Sequence, residues 1–97
     1  MKRDEAIGRL KAHEAELRRL GVESLYLFGS TAVGEAQESS DVDLFFDYKK
    51  GRFGVFELMD VKEFAAKILG RPTDIMTRDS LHKAIRQRIE ATAVRVF

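Results

Sequence analysis

The stretch from Leu25 to Phe46 reads LYLFGSTAVGEAQESSDVDLFF, and it decides the fold of the chain. The apolar, aromatic-rich run over residues 24–28 predicts a strand that is covered on both faces and ended by Gly29. The Gly-, Ser- and Thr-rich segment 29–40 predicts a turn. Residues 41–46 begin with alternating acids and hydrophobes, which predicts a second strand with one polar face and one core face.

The flanking sequence predicts the remaining elements. Apolar residues at helical spacing predict helices at residues 4–20, 55–69 and 80–91, with a single helical turn at 31–33 inside the Gly-rich segment. A short apolar run predicts a third strand at residues 73–77, and residues 93–97 close the chain as a short strand or tail. This order predicts an α/β (α+β) fold with a small mixed β-sheet and helices packed mainly on one face.

The helix predicted over residues 55–69 has a broad apolar stripe. Phe56, Met59 and Phe64 widen it, so we expect this helix to be largely buried. Phe53, in a Gly-flanked loop, is the one aromatic residue that we expect as an exposed contact.

Length and composition exclude several classes of protein. A chain of 97 residues and 11.1 kDa predicts one domain over residues 1–97. Its net charge of +1 gives no general attraction to nucleic acid or to a membrane surface. The absence of Cys excludes disulfides, thiolate catalysis and Cys-ligated zinc. With neither a membrane-spanning run nor a secretory signal in the sequence, we expect a cytoplasmic protein.

Asp41 and Asp43 form the first chemical feature. They are two residues apart in a predicted strand, so both side chains leave one face, about 6.8 Å apart at the backbone. Two like charges repel each other unless a divalent cation lies between them. Carboxylate-only ligands favour Mg²⁺ or Mn²⁺ over Zn²⁺. The alternative is an exposed edge strand with two solvated acids.

Gly29 and Ser30 form the second feature. The glycine lets the backbone approach a ligand closely, and the serine adds a hydroxyl beside free amides, which is typical of a phosphate-holding turn. Nucleoside triphosphate chemistry needs amides for the terminal phosphates and carboxylates for the metal ions that bridge them. The sequence contains both parts, ten residues apart.

Together these motifs resemble a known signature. Phe28-Gly29-Ser30, the ten-residue spacer and Asp41-Val42-Asp43-Leu44 are similar to the signature of the polymerase-beta-type nucleotidyltransferase superfamily. Within it the chain most resembles the minimal nucleotidyltransferases, and the resemblance covers nearly the whole chain, including residues 29–36, 69–75 and 89–97. One position departs from the pattern, since many relatives have a basic residue where this chain has Val33.

The resemblance implies a polymerase-beta-like core, a reaction and a role for each site residue. It implies a third acid on a neighbouring strand, for which Asp74 is the candidate. Asp41 and Asp43 would bridge two Mg²⁺ ions, with Mn²⁺ as an alternative, while Asp74 would bind the catalytic ion and act as or orient the base. Gly29 and Ser30 would hold the triphosphate of ATP. The alternative for Asp74 is a polar residue that merely starts a strand.

The resemblance also implies a partner protein. Minimal nucleotidyltransferases resemble the antitoxin half of a two-gene module whose adjacent gene encodes an all-helical HEPN ribonuclease toxin. The implied reaction is AMP transfer to a tyrosine hydroxyl of that toxin within a hetero-oligomer, with self-association left open. Two alternatives are a binding-only antitoxin that blocks its toxin sterically and an enzyme that modifies RNA or DNA ends. Net charge makes nucleic acid the least favoured partner.

Other polar residues receive structural interpretations. Asp47 is expected only to end its strand. Four cations that flank the apolar stripe of the last helix are expected on a solvated face, with contact to the nucleotide or a partner as the alternative, namely Arg78, Lys83, Arg86 and Arg88. Three cations in the loop after the second strand are expected to be solvated, namely Lys49, Lys50 and Arg52. His13 and His82 lack ligand spacing to a second histidine, so neither is predicted to bind metal.

Overall fold

The computed structural model describes residues 1–37, 39–49, 51 and 53–97. The helices are α1 (Arg3–Ala12), α2 (Glu14–Arg19), α3 (Gly29–Ala32), α4 (Val55–Leu69) and α5 (Lys83–Thr92), and a 3-10 turn spans Arg78–Ser80. The strands are β1 (Val22–Phe28), β2 (Val42–Tyr48), β3 (Thr73–Thr77) and β4 (Val94–Arg95). The bounds of α4 and β3 coincide with those predicted from the sequence.

The four strands form one mixed sheet in the order β3-β2-β1-β4. β1 is antiparallel to both β2 and β4, whereas β2 is parallel to β3. The predicted α/β (α+β) fold with a small mixed sheet is therefore confirmed. The closing segment 93–97 contributes a short strand beside β1.

The hydrophobic core lies on one face of the sheet. Its strand residues are fully or almost fully buried and, apart from an irregularity in β1 after Val22, they alternate along each strand: Val22, Leu25, Leu27, Val42, Leu44, Phe46 and Ile75. The helices α1, α2 and α4 cover them with Ala6, Leu10, Leu17, Val61, Ala65 and Leu69. Each buried large aliphatic or aromatic side chain contributes about 1.5–3 kcal/mol. The opposite face can therefore carry polar residues without loss of this core, and it also buries Phe45 against Tyr26 and Phe28.

The first predicted helix is interrupted. The sequence predicts one helix over residues 4–20, but His13 leaves helical geometry at φ −113° and ψ 22°, and it separates α1 from α2. The backbone N–H of His13 donates to the Leu10 carbonyl at 3.1 Å, which is the tighter spacing of a final helical turn. After this break, Leu17 is fully buried.

One face of the N-terminal half of α4 is exposed, so the prediction that this helix is largely buried is wrong for that face. Phe56 is 81% exposed and Met59 is 53% exposed. Helical geometry explains the error, because a helix turns about 100° per residue and Phe56 lies about 140° from the buried Val61. Phe64, only about 60° from Val61, packs against the core.

Phe53 is not the exposed contact that the sequence suggested. Its ring stacks on Tyr48 at 4.8 Å between centroids and meets the edge of Phe46 at 5.5 Å. Among the residues that the structure describes, no helix is both long and apolar enough to cross a lipid bilayer.

Candidate functional site

The strand register places three side chains in one row across the sheet. Phe28 on β1 pairs with Asp43 on β2, and Asp43 pairs with Asp74 on β3. Directly paired residues point to the same face, and neighbouring strands lie about 4.8 Å apart. The acid expected on a neighbouring strand is therefore beside Asp43, on the sheet face opposite the core.

Asp41 approaches this row from the chain segment just before β2, where it is exposed. The pKa of Asp43 is raised, first by burial and then by the negative charges of Asp74 and Asp41. Asp74 and Asp41 are thus both near enough to act electrostatically on Asp43. The described residues nevertheless include no group of three His, Cys, Asp or Glu side chains already close enough to hold a metal ion. Their role as metal ligands stays a prediction.

Gly29 leaves the space that the Asp43 carboxylate occupies. Its φ of +75° lies in the left-handed region that favours glycine. A Cβ at this position would overlap the Asp43 carboxylate and would lie 3.2 Å from its Cγ. The sequence predicted that Gly29 lets a ligand approach. The structure adds that Gly29 also accommodates the catalytic candidate Asp43.

Ser30 follows as the second residue of the short helix α3. The first N–H groups of a helix have no acceptor within that helix. The Ser30 carbonyl accepts a hydrogen bond from the Glu35 N–H at 2.8 Å, which fixes the next part of the loop. Gly29 and Ser30 therefore stand directly after Phe28, at the end of the row that contains the acids. Val33, in the same loop, presents an apolar side chain that is 48% exposed.

Arg78 joins several elements on the sheet face that carries the acids, and the sequence did not predict this role. Its guanidinium donates to both carboxylate oxygens of Asp47, at 2.8 and 3.1 Å, and to Glu90 at 2.6 Å. It also lies over the rings of Tyr26 and Phe45, 4.7 and 5.1 Å from their centroids. Hydrogen bonding to Asp47 is the largest of the causes that raise the pKa of Arg78 above its usual range.

Two interpretations are corrected by this contact. Asp47 does not merely end its strand, and Arg78 does not lie on a solvated face, because the pair ties β2 to the chain segment after β3. A signal was present, since Asp47 has the same strand parity as Asp43 and therefore points to the same face. The partner, 31 residues away, could not be read from that parity.

The remaining candidates that the structure describes take no part in this row. The described residues contain no metal-binding group around His13 or His82. His82 instead caps α5, where its Nδ1 accepts from the Ala84 N–H at 3.1 Å. Lys49 is exposed, whereas Lys50 and Arg52 lie outside the described residues.

The fold and the row of acids define a class of protein. Residues 10–96 match the family model of the nucleotidyltransferase domain, so the chain belongs to the nucleotidyltransferase family. Within this family it is a minimal nucleotidyltransferase. Protein adenylyltransferase MntA of Thermococcus cleftensis is 35% identical over 81 residues, which span 82% of this chain and 81% of that protein.

Solved structures share the fold. A candidate minimal nucleotidyltransferase superposes with a TM-score of 0.83 at 29% identity, covering 97% of this chain and 95% of the other. A chain from the complex of a tri-AMPylated Shewanella oneidensis HEPN toxin with its MNT antitoxin superposes with a TM-score of 0.64 at 16% identity. That match covers 90% of this chain and 68% of the other, and it shows a common fold.

Proposed function

We propose that this chain is a Mg²⁺-dependent adenylyltransferase that moves AMP from ATP to a hydroxyl group of a partner protein. One observation carries the proposal: the Asp43 carboxylate lies in register with Asp74, in the space that the missing side chain of Gly29 leaves. Membership of the nucleotidyltransferase family and the similarity to a protein adenylyltransferase support the reaction class.

The donor set fits a divalent cation. Burial and two neighbouring acids make the charged form of Asp43 unfavourable. Within the described part of the chain, none of the ion pairs involves Asp41, Asp43 or Asp74. Asp41 and Asp43 would hold two Mg²⁺ ions, or Mn²⁺ in their place, with Asp74 holding one of them. Bound ions would screen this repulsion and stabilise the charge that develops on the transferred phosphate.

The residues of the chain account for the remaining steps. Gly29 and Ser30 hold the triphosphate through the backbone amides at the start of α3, which orients the α-phosphorus toward the acids. The attacking hydroxyl oxygen forms a bond to the α-phosphorus as the bond to the bridging oxygen of the β-phosphate breaks. Pyrophosphate takes that electron pair and leaves. The hydroxyl proton passes to Asp74, which acts as general base.

The partner that we propose is a HEPN-type ribonuclease toxin encoded by an adjacent gene. The fold shared with the chain from the HEPN toxin and MNT antitoxin complex supports this choice. A nucleotide added to the toxin carries a negative charge and bulk, which would repel RNA phosphates from a ribonuclease site. The chain would then act as an antitoxin within a hetero-oligomer.

The test is a labelling reaction with magnesium, α-labelled ATP and the HEPN-type product of the adjacent gene. We expect label on the toxin, and we expect Asp43→Asn to abolish it. Asp60→Asn is the matched control, because Asp60 is an exposed acid on α4. An intact complex that suppresses toxicity without label would establish the binding-only antitoxin instead. Label on RNA would establish an end-modifying enzyme.

A further inference from the structure

A groove runs between the end of β1 and the helix α5. Its volume is about 450 Å³, within the range of small-molecule sites, and its lining residues are Phe28, Gly29, Ile85, Arg88, Ile89 and Thr92. The four residues from α5 are spaced three, four and seven positions after the first, so one face of this helix forms a whole wall. Nothing in the proposed transfer step yet uses this wall.

The groove adjoins the acids directly. Phe28 is the strand partner of Asp43, and both side chains point to the same sheet face. Gly29 lines the groove and also begins the turn proposed to hold the triphosphate. A single ligand molecule could therefore occupy the turn and the groove together.

The walls combine apolar and polar groups. The apolar surface of the groove comes from Phe28, Ile85 and Ile89. Ile85 is 46% exposed, so its side chain is available to contact a ligand. Arg88 adds hydrogen-bond donors to the same wall, and the Thr92 hydroxyl, which donates to the Arg88 carbonyl at 3.4 Å, adds an acceptor. Apolar surfaces with a few polar groups suit a planar heteroaromatic ring and its sugar, because the ring faces are apolar and its edge forms hydrogen bonds.

The wall is held in place by contacts outside the groove. Glu90 on α5 accepts a hydrogen bond from Arg78 at 2.6 Å and forms an ion pair with Arg86 of the same helix at 3.3 Å, and Arg78 is itself bound to Asp47 of β2. The two contacts of Arg78 fix α5 over the sheet without using any groove residue. A groove that exists before the ligand arrives reduces the ordering cost of binding.

We propose that this groove binds the nucleoside part of the triphosphate substrate, with Arg88 as the residue that contacts the base or the sugar. The proposal rests on the proposed function and extends it to the site that distinguishes a nucleotide from bare polyphosphate. The nucleoside is favoured over the acceptor because Gly29 is common to the groove and the triphosphate turn. A nucleoside bound in the groove would therefore lie beside the triphosphate of the same nucleotide.

Two binding measurements test this assignment. We would measure the Kd of Mg²⁺-ATP and of magnesium tripolyphosphate by calorimetry for the wild type and for Ile85→Ser and Arg88→Gln. Each variant should weaken ATP binding about tenfold and leave tripolyphosphate binding unchanged. The matched controls are Met59→Ser, an exposed apolar residue on α4, and Lys83→Gln, an exposed cation at the start of α5. Both controls should leave the two affinities unchanged.

Four results would overturn the assignment. Unchanged ATP affinity in both groove variants would show that the nucleoside binds elsewhere. Unchanged ATP affinity together with a raised KM for the acceptor protein would assign the groove to the acceptor. Equal weakening of ATP and tripolyphosphate would show that the variants disturb the phosphate turn. If the wild type binds neither ligand, the proposed function itself fails, and the groove assignment fails with it.

Discussion

Gly29→Ala is the substitution that best separates the site from the fold. Gly29 has φ +75°, and a new Cβ would overlap the Asp43 carboxylate. Gly34 provides a matched control, because it has φ +77° but nothing within 4 Å of its own Cβ position. An alanine in left-handed geometry costs about 1–2 kcal/mol at either position. For a domain of this size, each kcal/mol lowers Tm by about 4–8 °C.

The two variants should differ in activity, not in stability. The Asp43 carboxylate is at the end of a short side chain that is only partly buried, so it can turn away from a new methyl group at little further cost in stability. Turning away removes it from the row with Asp74, and a displacement of about 1 Å at a reacting centre costs about a hundredfold in rate. We therefore expect Gly29→Ala to lose at least about a hundredfold in AMP transfer and Gly34→Ala to stay near the wild type.

The assay combines thermal unfolding with initial rates of label transfer from α-labelled ATP. Similar losses of Tm with very different rates would support the reasoning. Comparable rates for Gly29→Ala and the wild type would refute it, because the close approach of Gly29 to Asp43 would then have no catalytic importance. A large loss of rate in Gly34→Ala would refute it too, since backbone strain alone would then explain the effect.

Three further predictions concern stability and are measured by urea unfolding. Without divalent ions, and at pH values above the raised pKa of Asp43, Asp43→Asn should increase the free energy of unfolding. This gain in stability should fade as the pH drops through that pKa. A loss of stability at neutral pH would contradict the repulsion between the acids. Arg78→Gln should cost about 1–3 kcal/mol because Asp47 loses its cationic partner and Glu90 loses one of its two, whereas Arg86→Gln should cost about 0.5 kcal/mol; equal costs would refute the central role of Arg78. Phe56→Ser should change stability by less than about 0.5 kcal/mol and Phe46→Ala should cost about 3–5, so a large effect at Phe56 would mean that its face is covered.

Local sequence patterns predicted the parts of the site that depend on local geometry. A glycine after an apolar strand marked the turn at Gly29, and the acid spacing placed Asp43 on the polar face. Local patterns could not predict the position of Asp74, because it lies beside Asp43 through a parallel pairing between distant segments. The resemblance to a known family supplied that pairing, and the strand register agrees with it.

Long-range contacts were beyond the sequence patterns. The bonds from Arg78 to Asp47 and Glu90 join residues 31 and 12 positions apart, and they depend on how β2 and α5 pack. The exposure of Phe56 was predictable in principle from its angle around the helix, but residue type alone favoured the core. The groove beside α5 also depends on packing, since it exists only where that helix meets Gly29.

We propose that the row of Asp43 and Asp74 beside Gly29 transfers a nucleotidyl group. The most direct measurement compares parallel reactions with ATP labelled at the α-phosphate and ATP labelled at the γ-phosphate, each with magnesium and the HEPN-type partner. The account predicts label on the partner from the α-position only, with all of the γ-label released in pyrophosphate. Label on the partner from the γ-position would contradict it, because the bond broken would then be that of a phosphoryl transfer.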